Sequence, residues 1–135
     1  MRILYFIGQL FLLPHILVFL FSKEKEAIVA DVYARRDDSK KGWVVLYDLS
    51  FLLLTNRYFR TLFYHRTRGV SSKVLRIFYP KHSSFTIDRF TVIGPGLQLA
   101  HPYSTILNAE KIGAGVYVNH LVTVGEKNGQ RPIIE

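Results

Sequence analysis

The chain has 135 residues and a formal net charge of +8; 49% of its residues are hydrophobic and 14% are aromatic. This length suffices for one domain with a modest core, and the apolar content excludes a disordered chain. The sequence contains no cysteine, which excludes a disulfide framework, a thiolate metal site and a cysteine nucleophile and is compatible with a reducing compartment.

The first predicted element is an uncharged run at residues 3–21, bracketed by Arg2 and Lys23. Its length just suffices for a helix that spans a bilayer, although Pro14 would kink such a helix. No small-residue cleavage site follows, which disfavours a signal peptide. Three interpretations stay open: a spanning helix, a helix at a membrane surface, and an apolar helical hairpin buried in an oligomer.

Three further helical segments are predicted before residue 85. Residues 23–38 show helical spacing of their apolar positions, and a turn is predicted at residues 37–42. A second helix runs from about Trp43 to His65 with a broad apolar stripe, and Gly69 ends it or opens a short loop. Residues 74–79 are predicted to form one more helical turn.

A strongly basic stretch overlaps these helices. Between Arg57 and Arg89 the sequence has eight basic residues and one acid, Asp88. Such a stretch is typical of a surface that faces anionic lipid or a phosphate-bearing ligand, and a solvated helix face has the same composition. No nucleic-acid recognition motif accompanies the charge, so no nucleic-acid partner is predicted.

After Phe85 the pattern changes to an aliphatic residue every six positions, followed by a small or polar one. The units are Ile87-Asp88, Ile93-Gly94, Leu99-Ala100, Ile106-Leu107, Ile112-Gly113, Val118-Asn119 and Val124-Gly125. The register holds at six apart from one inserted residue between Leu99 and Ile106. A β-sandwich would instead show alternation with period two.

Period six has a physical reason. Each hexapeptide forms one short parallel strand and one turn, three of them make a triangular coil, and each aliphatic residue points inward onto its equivalent one coil away. The predicted fold class is therefore α+β. A hydrophobic and basic α-helical segment, residues 1–84, precedes the first two to three coils of a left-handed parallel β-helix, residues 85–135.

Three stretches of this repeat resemble the hexapeptide core of serine O-acetyltransferases and related capsule or exopolysaccharide O-acetyltransferases. They are IGPGLQLAH at residues 93–101, KIGAG at 111–115 and VNHLVTVG at 118–125. LPH at residues 13–15 and FRTLFYHR at 59–66 resemble the helical lead-in of short members. The resemblance implies acetyl transfer from acetyl-CoA to a hydroxyl with a histidine general base, no metal, and a homotrimer with its site between neighbouring coils.

His101 matches the catalytic histidine in the Leu-Asp-His motif of that family. The family's carboxylate before this histidine is replaced by Ala100, and an upstream aspartate of the family is replaced by Thr86. Histidine suits a general base because its ordinary pKa lies near working pH. The missing carboxylates weaken L-serine as the acceptor and favour a neutral sugar hydroxyl.

Four other residues are candidates through the same resemblance. His120, Asn108 and Asp88 are assigned to the substrate pocket, and Arg131 is assigned to a CoA phosphate or the thioester. An exposed turn histidine and an ordinary loop arginine are the alternatives for His120 and Arg131.

The hexapeptide pattern is still running at Glu135, and fewer than three coils of ~18 residues fit after Ile87. We therefore expect an incomplete member of the family, poorly active by itself, at a cytoplasmic location that includes the inner face of the membrane if the apolar run binds lipid. The competing function is a non-catalytic, trimeric, membrane-associated scaffold, which the apolar leader and the basic stretch favour.

Overall fold

The computed structural model describes residues 7–8, 10–34 and 44–135, and the turn predicted at residues 37–42 lies outside these ranges. Within the described ranges, five helices precede the strands. Their bounds are α1 Leu13–Leu20, α2 Lys25–Tyr33, α3 Val44–Thr55, α4 Arg57–Arg66 and α5 Val70–Phe78. The predicted helices are thus present in the described ranges; α2 begins at Lys25, two residues after the predicted start, and positions 35–38 of that predicted helix lie outside the described residues.

The single helix predicted from Trp43 to His65 is wrong, because Asn56 divides it into α3 and α4. Asn56 adopts an extended backbone conformation, and its Oδ1 accepts a hydrogen bond from the N–H of Phe59 at 2.9 Å. A side chain that caps a helix in this way satisfies a free N–H group and starts a new helix. Gly69 opens α5 in a backbone conformation with φ of 154°.

Eight short strands follow the helices. They are β1 Phe85–Ile87, β2 Val92–Ile93, β3 Gln98–Leu99, β4 Thr105–Leu107, β5 Lys111–Ile112, β6 Tyr117–Val118, β7 Thr123–Val124 and β8 Ile133–Ile134. All pairings are parallel, in sheets of order β1-β4-β7, β2-β5-β8 and β3-β6. Each strand from β1 to β5 pairs with the third strand after it, so the chain winds into a three-sided coil.

The inward positions of the coil follow the predicted spacing with one correction. Ile93, Leu99, Ile112 and Val118 are buried, and Ile87 and Val124 pack against the same core. In the fourth unit Leu107 is 1% exposed, whereas Ile106 is 49% exposed and points outward. Leu107, and not Ile106, pairs with Ile87 of the neighbouring coil. The inward residue thus lies eight positions after Leu99, whereas the sequence pattern predicts seven. The longer corner after β3 therefore shifts the register by one further residue.

Helix α4 joins the helices to the coil. Its Phe59 and Phe63 belong to the core of the helical part, whereas Leu62 is buried in the core of the coil together with Phe85 of β1. Aromatic and aliphatic side chains on two sides of one helix thus bury surface in both cores. The coil and its helical segment are therefore packed against each other along α4 and β1.

A buried ion pair fixes the same junction. The Nε and Nη2 atoms of Arg66 donate to the two carboxylate oxygens of Asp31 at 2.8 and 3.0 Å. Arg66 also donates to the carbonyl oxygens of Ile93 and Gly94, and Asp31 accepts from the N–H of Gly96. Burial raises the pKa of Asp31, and the Arg66 guanidinium opposes that rise. The pair ties α2 and α4 to the corner after β2.

Within the apolar run, α1 has eight residues, and no helix among the described residues is long and apolar enough to cross a membrane. His15 of α1 is buried, and its Nε2 lies 2.8 Å from the hydroxyl of Tyr64. That hydroxyl donates its only proton to the carbonyl oxygen of Tyr79, so the His15 Nε2 carries the imidazole proton. Burial lowers the pKa of His15 to about 4 and raises that of Tyr64 to about 12.

We expect the free energy of unfolding to fall as the pH is lowered from 6.5 towards 4. The folded chain keeps His15 neutral, whereas the unfolded chain binds a proton below pH 6.5, so the stabilisation is complete above pH 6.5 and is lost on acidification. Each such histidine contributes a slope of about 1.4 kcal/mol per pH unit. His65, whose pKa burial also lowers to about 4, contributes a second one.

Urea unfolding at a series of pH values measures this slope. The His15→Gln variant should show a slope smaller by about 1.4 kcal/mol per pH unit than the unchanged chain, because it removes one titrating group. An identical slope in both proteins would contradict the assignment of His15.

Candidate functional site

His101 and His120 form a row at one corner of the coil. His101 follows β3 and His120 follows β6, and the pairing of Leu99 with Val118 sets them at equivalent positions in successive coils. The N–H of Ala100 donates to the carbonyl oxygen of Val118 at 2.9 Å, which keeps the two corners in register. Both imidazoles are exposed. The two histidines, which the sequence predicts for one site, therefore lie exposed at the same corner of the coil.

The backbone at His101 is unusual. Its φ is 50°, a left-handed conformation that is uncommon outside glycine and, to a smaller extent, asparagine, aspartate and histidine. The edge of its ring faces Tyr58 of α4, with the ring centroids 6.4 Å apart. Among the described residues, no side chain forms a hydrogen bond with the imidazole, and Ala100 leaves the preceding position without a carboxylate. The ring is therefore open to a ligand.

His120 has a partner that fixes its proton. Its Nδ1 lies 2.7 Å from Oδ1 of Asn119, and the same oxygen accepts a hydrogen bond from the backbone N–H of His120. Because a carbonyl oxygen only accepts, Nδ1 carries the proton in the neutral ring and Nε2 is free to accept one. The ring stacks on Tyr103, with centroids 5.0 Å apart and planes 8° apart.

Tyr58 and Tyr103 flank the histidine row and are not predicted from the sequence. Tyr103 lies two positions after His101, so proximity to the motif was a usable signal. Tyr58 lies in α4, far from the repeat in sequence, and stacks on His82 with centroids 4.1 Å apart. Only the packing of α4 against the coil brings this phenol to the row.

The other predicted residues gather at a different corner, where β1 and β4 end. Asp88 and Asn108 follow Ile87 and Leu107, which pair with each other, so they too are one coil apart. Nη1 of Arg131 lies 3.6 Å from Oδ1 of Asp88. The structure thus brings Asp88 and Arg131 together, with Asn108 in register, but separates them from the histidine row within one chain.

A cavity of about 650 Å³ lies between helices α2 and α3 and the outer face of β3 and β6. Its lining includes Val32, Tyr47, Phe51, Gln98 and Tyr117 and contains none of the predicted site residues. Gln98 and Tyr117 pair with each other three positions before the two histidines, so the cavity borders the strands that lead to that corner. Among the described residues, no group of three histidine or acidic side chains converges as a metal site requires.

Two crystal structures of a serine acetyltransferase, CysE, from Neisseria gonorrhoeae are similar to this chain. One is 22% identical over 79% of this chain and 44% of that chain, with a TM-score of 0.52. The other, in complex with serine, is 22% identical over 81% of this chain and 48% of that chain, with a TM-score of 0.55.

The chain therefore spans less than half the length of these two structures. At this level of identity the similarity shows the fold: helices followed by parallel strands, as in a serine acetyltransferase. No family model and no curated protein sequence matches the chain.

Proposed function

We propose that this chain is an acetyl-CoA-dependent O-acetyltransferase of the serine acetyltransferase-like type, built on a left-handed coil, with His101 as its general base. One observation carries the proposal: an exposed histidine, with a second in register one coil away, lies at a corner of a serine acetyltransferase-like fold. The fold alone supports no activity, because one fold hosts many functions. The histidine row supplies the chemistry.

The proposed reaction is a direct transfer. The His101 imidazole takes the proton of the acceptor hydroxyl while the hydroxyl oxygen attacks the thioester carbonyl of acetyl-CoA. The tetrahedral intermediate collapses, the C–S bond breaks, and the CoA thiolate leaves and takes up the proton. No acyl-enzyme forms, which agrees with a sequence that contains no cysteine. The oxyanion of the intermediate requires a hydrogen-bond donor.

The surroundings of His101 favour a neutral sugar hydroxyl over L-serine as acceptor. A serine ammonium would be held by a carboxylate, and no carboxylate of the described residues forms a hydrogen bond with His101. Asp88, the acid predicted for the substrate pocket, lies at another corner and pairs with Arg131. A neutral sugar of a surface polysaccharide carries no charge that needs such a partner.

We also propose that a homotrimer completes the site. In such a trimer the exposed corner of one coil would face the coil of a neighbour, so Asp88, Asn108 and Arg131 of one subunit could approach the histidine row of another. Arg131 would then bind a CoA phosphate either in place of Asp88 or while it keeps its contact with Asp88. Salt-sensitive contacts of this kind are common for arginine and phosphate.

A second candidate is a non-catalytic, trimeric, membrane-associated scaffold. The pairing of Arg131 with Asp88 and the lack of an orienting carboxylate at His101 favour it. In this case the coil would serve only to assemble the chains.

Release of CoA, followed with a thiol reagent, separates the candidates. We expect the 135-residue chain to release CoA from acetyl-CoA slowly, and faster with acetylatable glycans than with serine. Isothermal calorimetry with acetyl-CoA is the parallel measurement. If the chain shows neither acetyl-CoA binding nor acceptor-dependent CoA release, the proposed enzyme is overturned and the scaffold is favoured. Serine-dependent CoA release would instead reassign the acceptor to serine.

A further inference from the structure

Helix α5 buries only Ser72 and Leu75 and leaves a stripe of four apolar side chains exposed. Ser72 is 2% exposed and donates a hydrogen bond to the carbonyl oxygen of Thr67. Val70, Ile77 and Phe78, by contrast, are 78%, 76% and 73% exposed, and Val74 is exposed beside them. Val74, Ile77 and Phe78 lie four, seven and eight positions after Val70, the spacing of one helix face. An amphipathic helix in a globular domain normally buries such an apolar face.

Helix α1, which packs against α5, also leaves apolar side chains exposed. It buries His15 and Phe19, whereas Leu13 and Leu17 are more than half exposed. Phe21, directly after the helix, is 86% exposed. Together, Leu13, Leu17 and Phe21 of this helix and Val70, Val74, Ile77 and Phe78 of α5 make up a surface that we call the apolar face. Exposed apolar surface of this extent typically marks an interaction site.

A concave basic surface borders the apolar face. Its cations come from Arg68, Lys73, Arg76, Lys81 and Arg89, and we call it the basic pocket. Lys73 lies three residues after Val70 and four before Ile77, so it is adjacent to both on the surface of α5. None of these five cations forms a salt bridge with a carboxylate of the described residues. Their charge is uncompensated within the described part of the chain.

We propose that the apolar face and the basic pocket together dock the protein on an anionic lipid surface. The apolar side chains would enter the boundary between headgroups and acyl chains while the five cations contact lipid phosphates and carboxylates. This combination of one apolar side and one basic side is what interfacial helices use. The long side chains of Lys73 and Arg76 reach from the helix towards the headgroups, as such side chains do at interfaces.

Charge favours lipid over the other occupants of this surface. A second copy of the chain packed face to face would bring the uncompensated cations of both copies together, which is unfavourable. A soluble phosphate would neutralise the basic pocket but leave the apolar face in water. An anionic bilayer meets both requirements at once, and it does so independently of the proposed acetyl transfer.

Sedimentation with vesicles tests the proposal on the full chain. We expect binding to phosphatidylcholine vesicles that contain phosphatidylserine, weaker binding to pure phosphatidylcholine, and a decrease at high salt because screening weakens surface charges. The assay contains no acetyl-CoA, so its outcome is separate from that of the activity assay.

Two pairs of substitutions separate the two parts of the surface. Ile77→Ser with Phe78→Ser should lower the vesicle partition coefficient at least about tenfold on either lipid. Lys73→Gln with Lys81→Gln should lower it about 25-fold on anionic vesicles, at about fivefold for each lysine, with little change on neutral vesicles.

Matched controls lie on the coil. Val92→Ser with Ile106→Ser removes two exposed aliphatic side chains, and Lys111→Gln with Lys127→Gln removes two exposed lysines. Both controls should bind vesicles like the unchanged chain. Circular dichroism melting of all four variants checks that each is folded.

Four results would overturn the proposal. The first is no binding of the unchanged chain to anionic vesicles, and the second is binding that the Ile77→Ser/Phe78→Ser variant retains in full. The third is an unchanged chain that does not bind vesicles and sediments without lipid as a larger species, while the Ile77→Ser/Phe78→Ser variant sediments as a smaller one. A second copy would then cover the apolar face. A raised Tm in glycerol phosphate without vesicle binding would likewise assign the basic pocket to a soluble anion.

Discussion

Replacement of His101 by asparagine is expected to lower acceptor-dependent CoA release by about 100- to 10,000-fold, the usual contribution of a general base. Asparagine is chosen because φ at this position is 50°, and asparagine adopts the left-handed region more readily than alanine. The variant therefore removes the base without adding backbone strain. The quantity to compare is kcat/KM for the acceptor, with melting curves as the check on folding.

His120→Asn is the matched control, because it makes the same change at the equivalent position one coil away. If His120 only lines the acceptor pocket, its loss should act mainly on KM and by less than the loss of His101. The opposite ranking would contradict the assignment of His101. It would make His120 the base, since Asn119 already holds its Nδ1 proton and leaves Nε2 free.

The coil was predictable because its signal is local and repeated. Every hexapeptide places one aliphatic residue inside the coil, so the spacing from Ile87 to Val124 indicates the fold without any knowledge of distant contacts. The exception, Leu107, arises where the corner after β3 takes a longer path with Ser104 at a φ of 48°. Sequence spacing cannot indicate which of two adjacent aliphatic residues points inward after such an insertion.

The helical segment was less predictable, because its packing depends on contacts between distant residues. An uncharged run such as residues 3–21 has no polar side that marks its solvent-exposed surface. The structure buries His15 against Tyr64 and leaves Leu13 and Leu17 exposed, the reverse of what residue polarity suggests. The histidine row was predicted in part: register sets His101 and His120 at equivalent positions, but Tyr58 reaches His101 only through tertiary packing.

Replacement of Arg66 by methionine is expected to lower the free energy of unfolding by about 3–5 kcal/mol, the usual cost of breaking a buried ion pair. Arg66 and Asp31 are 35 positions apart, and both side chains are 2% exposed. The substitution leaves the Asp31 carboxylate buried without its cation and the carbonyl oxygens of Ile93 and Gly94 without their donor. Urea unfolding at neutral pH measures the loss.

Two further variants show whether the cost comes from the unpaired charge. Arg57→Met, on the exposed first residue of the same helix, should change stability by about 0.5 kcal/mol or less. The double variant Asp31→Leu/Arg66→Met should be more stable than Arg66→Met alone, because it removes the buried charge together with its partner. Recovery will be partial, since the carboxylate of Asp31 also accepts the backbone N–H groups of Gly96 and Leu97. A loss for Arg66→Met no larger than that for Arg57→Met would contradict the role of this pair in holding the helices to the coil.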